Sequence, residues 1–151
     1  PVYVMGKMKS FLEDNEPFTQ LIDLNNITLR LMEEDNSVQL NNNISITPFQ
    51  VPHRNEFSET IGFMIQSTNK SFIYIPDIDS WENWNIDINY LIKNNDYLLL
   101  DGTFYNNLEI PERNLQDVSH PFIKRAYRNF LTWKKWIEKR YISPILIIPI
   151  L

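Results

Sequence analysis

The sequence predicts a mixed α/β fold in which helices pack on a sheet, and three observations carry that prediction. Short β-type segments fill the first half of the chain, separated by asparagine-rich breaks at Asn25-Asn26 and Asn41-Asn42-Asn43. Residues 80–94 then change to helical spacing, with Trp81, Trp84, Ile88, Leu91 and Ile92 recurring at three- and four-residue steps. After them, Tyr97 to Leu100 is an apolar run of strand length, expected to be buried on both faces. Strands first, then strand–helix–strand, is the order of a layered α/β or α+β sandwich.

Taken in order, Val2 to Met5 reads as a strand. Met8, Phe11 and Leu12 lie at i, i+3 and i+4, which predicts a helix over Lys7 to Asn15 that Pro17 ends. Ile27 to Met32, Ser37 to Leu40 and Ile44 to Val51 read as strands. Thr60 to Gln66 and Ser71 to Pro76 read as a hairpin around the turn-forming Ser67-Thr68-Asn69-Lys70. Asp79 or Ser80 stands where the cap of the Trp81 helix belongs.

Composition narrows the function. At 151 residues, 43% hydrophobic and 13% aromatic, the chain can bury a real core. A formal charge of -5 argues against a nucleic-acid partner, which calls for a basic stripe. The longest apolar stretch, Ile142 to Leu151, is too short to span a bilayer and is broken by Pro144 and Pro149, so no membrane association is expected. The opening on Pro1, with a strand and no leader, suggests a start cut from something longer and a cytoplasmic location. Cysteine is absent, so any metal must be held by Asp, Glu or the two histidines, His53 and His120.

Three apolar strands stop on polar side chains able to bind a metal or move a proton. Ile44 to Val51 stops at Pro52-His53-Arg54, Phe72 to Ile75 at Pro76-Asp77-Ile78-Asp79, and Leu98 to Leu100 at Asp101-Gly102-Thr103. Neighbouring strand ends can converge on one sheet edge. One imidazole and two carboxylates suit zinc, iron or manganese better than calcium. Each group also has a structural explanation: a loop histidine, a helix cap at Asp79, an ordinary turn at Asp101-Gly102-Thr103, and a surface His120 before Pro121.

The stretch Thr47-Pro48-Phe49-Gln50-Val51-Pro52-His53-Arg54-Asn55-Glu56-Phe57-Ser58-Glu59-Thr60-Ile61-Gly62-Phe63 resembles the family of pyrroloquinoline quinone biosynthesis protein B. So do Ile75-Pro76-Asp77-Ile78-Asp79-Ser80-Trp81, Leu99-Leu100-Asp101-Gly102-Thr103-Phe104 and Ser119-His120-Pro121-Phe122. That resemblance implies the αββα four-layer sandwich of the metallo-β-lactamase superfamily, with residues 1–123 as the C-terminal part of the domain. It implies His53 and Asp77 as metal ligands to zinc or iron, and Asp101 and His120 as catalytic groups that orient substrate or move protons. Ribonuclease Z, a superfamily member, has a similar pattern, with Glu where Asp101 stands. Arg54 and Glu59 lie in the family-like stretch without an assigned role. The superfamily's His-x-His-x-x-His cluster is not in this sequence, so a metal held by His53 and Asp77 alone would be weak.

Residues 124–151 form a divergent tail. Lys124 to Arg140 is basic, and Tyr141 to Leu151 is almost wholly apolar. Back-translated with permitted codons and read two bases later, Arg125 to Leu151 can yield a segment ending THFNHTNP, similar to the family's ending. The tail is therefore expected to be an out-of-frame translation, against the alternative of a Trp133/Trp136 helix followed by a buried strand. Three functional readings follow: a metal-dependent oxidoreductase or hydrolase acting on a small-molecule or peptide-derived substrate, an inactive fragment, or a non-catalytic binding module. Uncovered sheet edges would favour association into a homo-oligomer.

Overall fold

The structure, a computed structural model, describes residues 1–112, 114, 118–129, 141–142 and 145–149. Strand β1 (Val2–Val4) leads into helix α1 (Gly6–Asp14), helix α2 (Phe18–Asp23) and strand β2 (Leu29–Leu31), which pairs in parallel with β1. Pro17 ends α1 as expected, and it also opens α2, where a residue without an amide hydrogen is tolerated. The Phe11 and Phe18 rings, 5.9 Å apart, join the two helices.

The main sheet is built from β3 (Val38–Asn41), β4 (Ile44–Gln50), β5 (Ile61–Ser67), β6 (Ser71–Ile75) and β7 (Tyr97–Asp101). The first four form an antiparallel meander, and β6 then pairs in parallel with β7 through a crossover containing α3 (Ile88–Asn94). Beyond β7 lie β9 (Ile145–Pro149) and β8 (Tyr141–Ile142), giving the order β3-β4-β5-β6-β7-β9-β8. Helix α4 (Ile123–Asn129) follows the last site loop. Residues 130–140, on which both the Trp133/Trp136 helix and much of the altered-frame reading rest, lie outside the described residues.

This topology explains why the polar loops meet. An antiparallel step reverses direction and a parallel step keeps it, so β4, β6 and β7 all run the same way. Their C-terminal ends, and the residues that follow them, share one edge of the sheet.

The core lies on one face of these strands. Ile73 and Ile75 of β6 sit beside Leu98 and Leu100 of β7, with exposures of 0%, 0%, 0% and 1%. Phe49, Val51, Ile78, Trp81, Trp84, Ile123 and Ala126 join them in the cluster, with Ile88, Leu91 and Ile92 of α3 as a covering layer. Strand β7 is less deeply buried than its composition suggests: Leu98 and Leu100 are inside, whereas Tyr97 and Leu99 on the opposite face are half-buried.

The helix expected from Ser80 begins only at Ile88, capped by Asp87, whose carboxylate accepts a hydrogen bond from the Asn89 amide at 2.8 Å. Residues 80–87 turn instead. Ser80 Oγ accepts from the Glu82 amide, and Trp84 is fixed by donating Nε1–H to the Gln50 carbonyl at 3.1 Å and stacking on Phe49. The tryptophan spacing thus reports core packing rather than a helical face. Among the described residues no helix is long and apolar enough to cross a membrane.

Two predictions follow from these contacts. A Cβ at Gly62 would lie 2.5 Å from Phe49 Cε2 and 3.0 Å from Ile75 Cγ1. Gly62→Ala should therefore lower stability by about 1–3 kcal/mol, read from urea denaturation, because Phe49 is wedged against Trp84 and cannot retreat. At the far end of the sheet, Lys70 Nζ lies 2.6 Å from Asp96 Oδ1, and Asp96 Oδ2 accepts from the Ser71 amide. The Lys70 hydrogen bond, then that amide, holds the Asp96 pKa below the ordinary carboxylate range, while the Asp96 hydrogen bond raises Lys70. The stabilisation is complete above the ordinary carboxylate range and is lost as pH falls through the lowered Asp96 value. The melting-temperature advantage over Asp96→Asn should accordingly be present at neutral pH and vanish in acid.

Candidate metal centre

Pro52 to Thr60 leaves β4 as a loop whose ends are tied to the rest of the edge. The Pro52 carbonyl accepts from the Asp79 amide at 2.8 Å, so the His53 and Asp79 loops are fastened backbone to backbone. Arg54 reaches across to Ser119, its Nη2 donating to Oγ at 3.2 Å, and so links the His53 loop to the His120 loop. Glu59 accepts hydrogen bonds from the Lys7 amide through both oxygens, at 3.1 and 3.2 Å. Helix α1 has no side-chain cap of its own, so Glu59 supplies the negative charge its N-terminus favours.

All four residues expected to form the site are brought together. His53 Nε2 lies 3.2 Å from Asp77 Oδ1, and His120 Nδ1 lies 3.4 Å from that same oxygen. His120 Nδ1 also lies 2.7 Å from Asp101 Oδ2. The two imidazole rings have centroids 6.4 Å apart. Among the described residues, Asp77, Asp101 and His120 offer ligand-type atoms all within 4.8 Å of one another.

Hydrogen bonding separates these groups into two kinds. The Asp101 side chain is shut off from solvent, and its oxygens are already engaged. Oδ1 accepts from the Thr103 amide and hydroxyl at 2.9 and 2.7 Å, and Oδ2 accepts from the Ile78 amide at 3.3 Å and from His120. An N···O distance of 2.7 Å is that of a charge-assisted hydrogen bond. Asp101 can only accept in this pair, so it fixes His120 with its proton on Nδ1 and leaves Nε2 unprotonated in the neutral ring. Phe104 supports the same ring edge-on, with centroids 5.9 Å apart.

His53, Asp77 and Asp79 behave differently. The His53 Nδ1 lies 3.3 Å from the Arg54 carbonyl, a partner that can only accept, so Nδ1 carries the proton and Nε2 presents a lone pair. That lone pair faces Asp77 Oδ1 and, at 3.6 Å, Asp79 Oδ1. Both oxygens are buried and accept no hydrogen bond. A cluster of acceptors with no donor is what a cation satisfies, and the donor set of one imidazole and carboxylates fits zinc or iron. A ligand histidine whose other nitrogen donates to a backbone carbonyl is also the usual arrangement in metal sites.

The profile of a family described as Beta-lactamase superfamily domain matches residues 1–134. The chain belongs to this superfamily. Its fold is similar to that of Zn(2+)-bound PqqB from Methylobacterium extorquens, with a TM-score of 0.58 at 23% identity, covering 72% of this chain and 35% of that one. No curated protein matches the chain. The likeness agrees with the metallo-β-lactamase type of fold expected from the sequence, and the superfamily chain described here spans about a third of the length of that relative, as the 35% coverage gives.

A cavity of about 250 Å³ opens beside the centre, lined by Asp79, Trp81, Glu82, His120, Phe122 and Arg125 among others. Asp79, which spacing favoured as a helix cap, instead stands 3.6 Å from His53 Nε2 and lines this cavity. The signal was present: Asp77 and Asp79 are two residues apart, and in extended backbone such positions project to the same side.

Asp101→Ala should destabilise the fold by about 2–5 kcal/mol in urea denaturation, because it leaves the Ile78 and Thr103 amides without their acceptor.

Proposed function

We propose that the chain carries part of the catalytic centre of a PqqB-like, metal-dependent enzyme acting in the cytoplasm in pyrroloquinoline quinone biosynthesis. One observation carries the metal reading: His53 Nε2 and the buried, undonated Asp77 Oδ1 face each other at 3.2 Å. His53 and Asp77 would hold zinc or iron. When bound, the ion would supply a Lewis acid and a bound water of lowered pKa, or, as iron, oxygen chemistry.

The chain's own residues would do the rest. Asp101, acting as a fixed acceptor, holds the His120 ring in one tautomer and orientation. His120 Nε2 would then take a proton from, or give one to, a small-molecule or peptide-derived substrate in the adjoining cavity. Trp81 and Phe122 give that cavity apolar walls, while Arg125 and Glu82, whose Nε and Oε1 are 3.5 Å apart, give it a polar rim. The resemblance in the His53, Asp77, Asp101 and His120 loops, together with the fold likeness to PqqB, supports the biosynthetic role. A second reading, a fragment inactive by itself, is supported by the 35% coverage of that relative.

Purified chain loaded with zinc or iron and then dialysed should retain about one ion, and His53→Ala should weaken retention by about 100-fold, at least the loss seen when supporting groups are removed. Elemental analysis reads both. A chain that retains no metal after loading would overturn the metal reading. Restoration of quinone production in a strain lacking its B protein tests the biosynthetic role.

A further inference from the structure

We infer that two copies of this chain pack sheet on sheet, through the face of the main sheet opposite α3, to form a homodimer. The inference concerns a surface remote in kind from the metal centre and stands or falls apart from it.

Strand register shows what that face carries. Ile46, Ile65, Phe72 and Tyr97 lie directly opposite one another across β4, β5, β6 and β7. Phe63, Tyr74 and Leu99 make the next row, two residues along each strand. Side chains alternate between faces, so both rows project away from the buried Ile73, Ile75, Leu98 and Leu100. All seven are half-buried, whereas those four core residues are enclosed. Among the described residues the helices do not account for this face. Residues of α3 and α4 join the core cluster on the other side, and α1 and α2 bury no residue of their own.

A sheet that leaves one face to water normally makes that face polar, and parallel strands are as a rule covered on both faces. Here β6 and β7 are parallel, and their outer face is aromatic and aliphatic. An apolar surface of this extent marks an interface. Its size fits a second copy. A seven-stranded sheet is about 29 Å wide and strands of five to seven residues are about 17–24 Å long, a flat footprint of roughly 500–700 Å². Side-chain relief raises the accessible area toward the value of about 800 Å² per partner that a stable interface buries. The charge also fits. Neither row holds a charged side chain, and Lys70, which lies 5.6 Å over the Tyr97 ring at the border, is paired with Asp96 at 2.6 Å. Two copies therefore meet without like-charge repulsion, and a two-fold axis lets one patch serve both. Sheets stacked about 10 Å apart interdigitate such rows into a shared core.

Sedimentation equilibrium of the full 151-residue chain over a range of concentrations tests the inference. The natural chain should reach a plateau at twice its 18.1 kDa mass. Tyr74→Glu, with folding checked by circular dichroism, should weaken self-association by about 100-fold or more, because it sets like charges against each other within an apolar interface. Leu24→Glu, at an exposed position beyond α2, should leave it unchanged. The chain has no cysteine, so Tyr74→Cys should give a covalent dimer with a short bismaleimide and Leu24→Cys should not. This second measurement decides the matter where Tyr74→Glu fails to fold. A natural chain of single-copy mass overturns the inference and leaves the face to a sheet from another polypeptide. Mass that grows without a plateau at two copies also overturns it, as does association retained by folded Tyr74→Glu or crosslinking from Leu24→Cys equal to that from Tyr74→Cys.

Discussion

The Asp101 carboxylate is the interaction on which this edge of the molecule depends. It stands at the last position of β7, fully enclosed, and takes hydrogen bonds from the Ile78 loop, from its own Thr103 turn and from the His120 loop. A buried anion is tolerable only when its oxygens are satisfied in this way. Satisfying it forces three separate loops into a single arrangement. The position of Asp77, one residue before Ile78, is inherited from that arrangement, as is the orientation of the His120 ring.

Sheet direction supplies the second constraint. Because β4, β6 and β7 run the same way, three loops far apart in sequence emerge side by side. The two histidines then take different roles from their partners alone. His53 sets its Nδ1 against a backbone carbonyl and its Nε2 against carboxylates, whereas His120 sets its Nδ1 against the Asp101 carboxylate.

Much of this was legible in the residues. Strand positions from β3 to β7 follow from alternation and asparagine breaks, and the Asp and His residues announce themselves by standing where apolar runs stop. The αβ order and the convergence of the His53, Asp77 and Asp101 loops could be expected on that basis, whereas His120 entered only through the family resemblance. What the pattern misjudged was the segment 80–87. Tryptophans at helical spacing are there because Trp84 fills the core beside Phe49 and bonds the Gln50 carbonyl, a long-range contact that local periodicity cannot reveal. The same misreading turned Asp79 into a cap. The partners of Arg54 and Glu59 were likewise hidden, because Ser119 and the Lys7 amide are remote in sequence.

The Glu59 clamp makes the start of the chain a listener to the His53 loop. The Lys7 amide is 52 residues away in sequence, yet its hydrogen is held by a carboxylate at the end of the Pro52–Thr60 segment. Deuterium uptake at that one amide therefore reports how often the segment lets go. An event at the centre that stiffens or loosens the loop would be recorded in the first turn of α1.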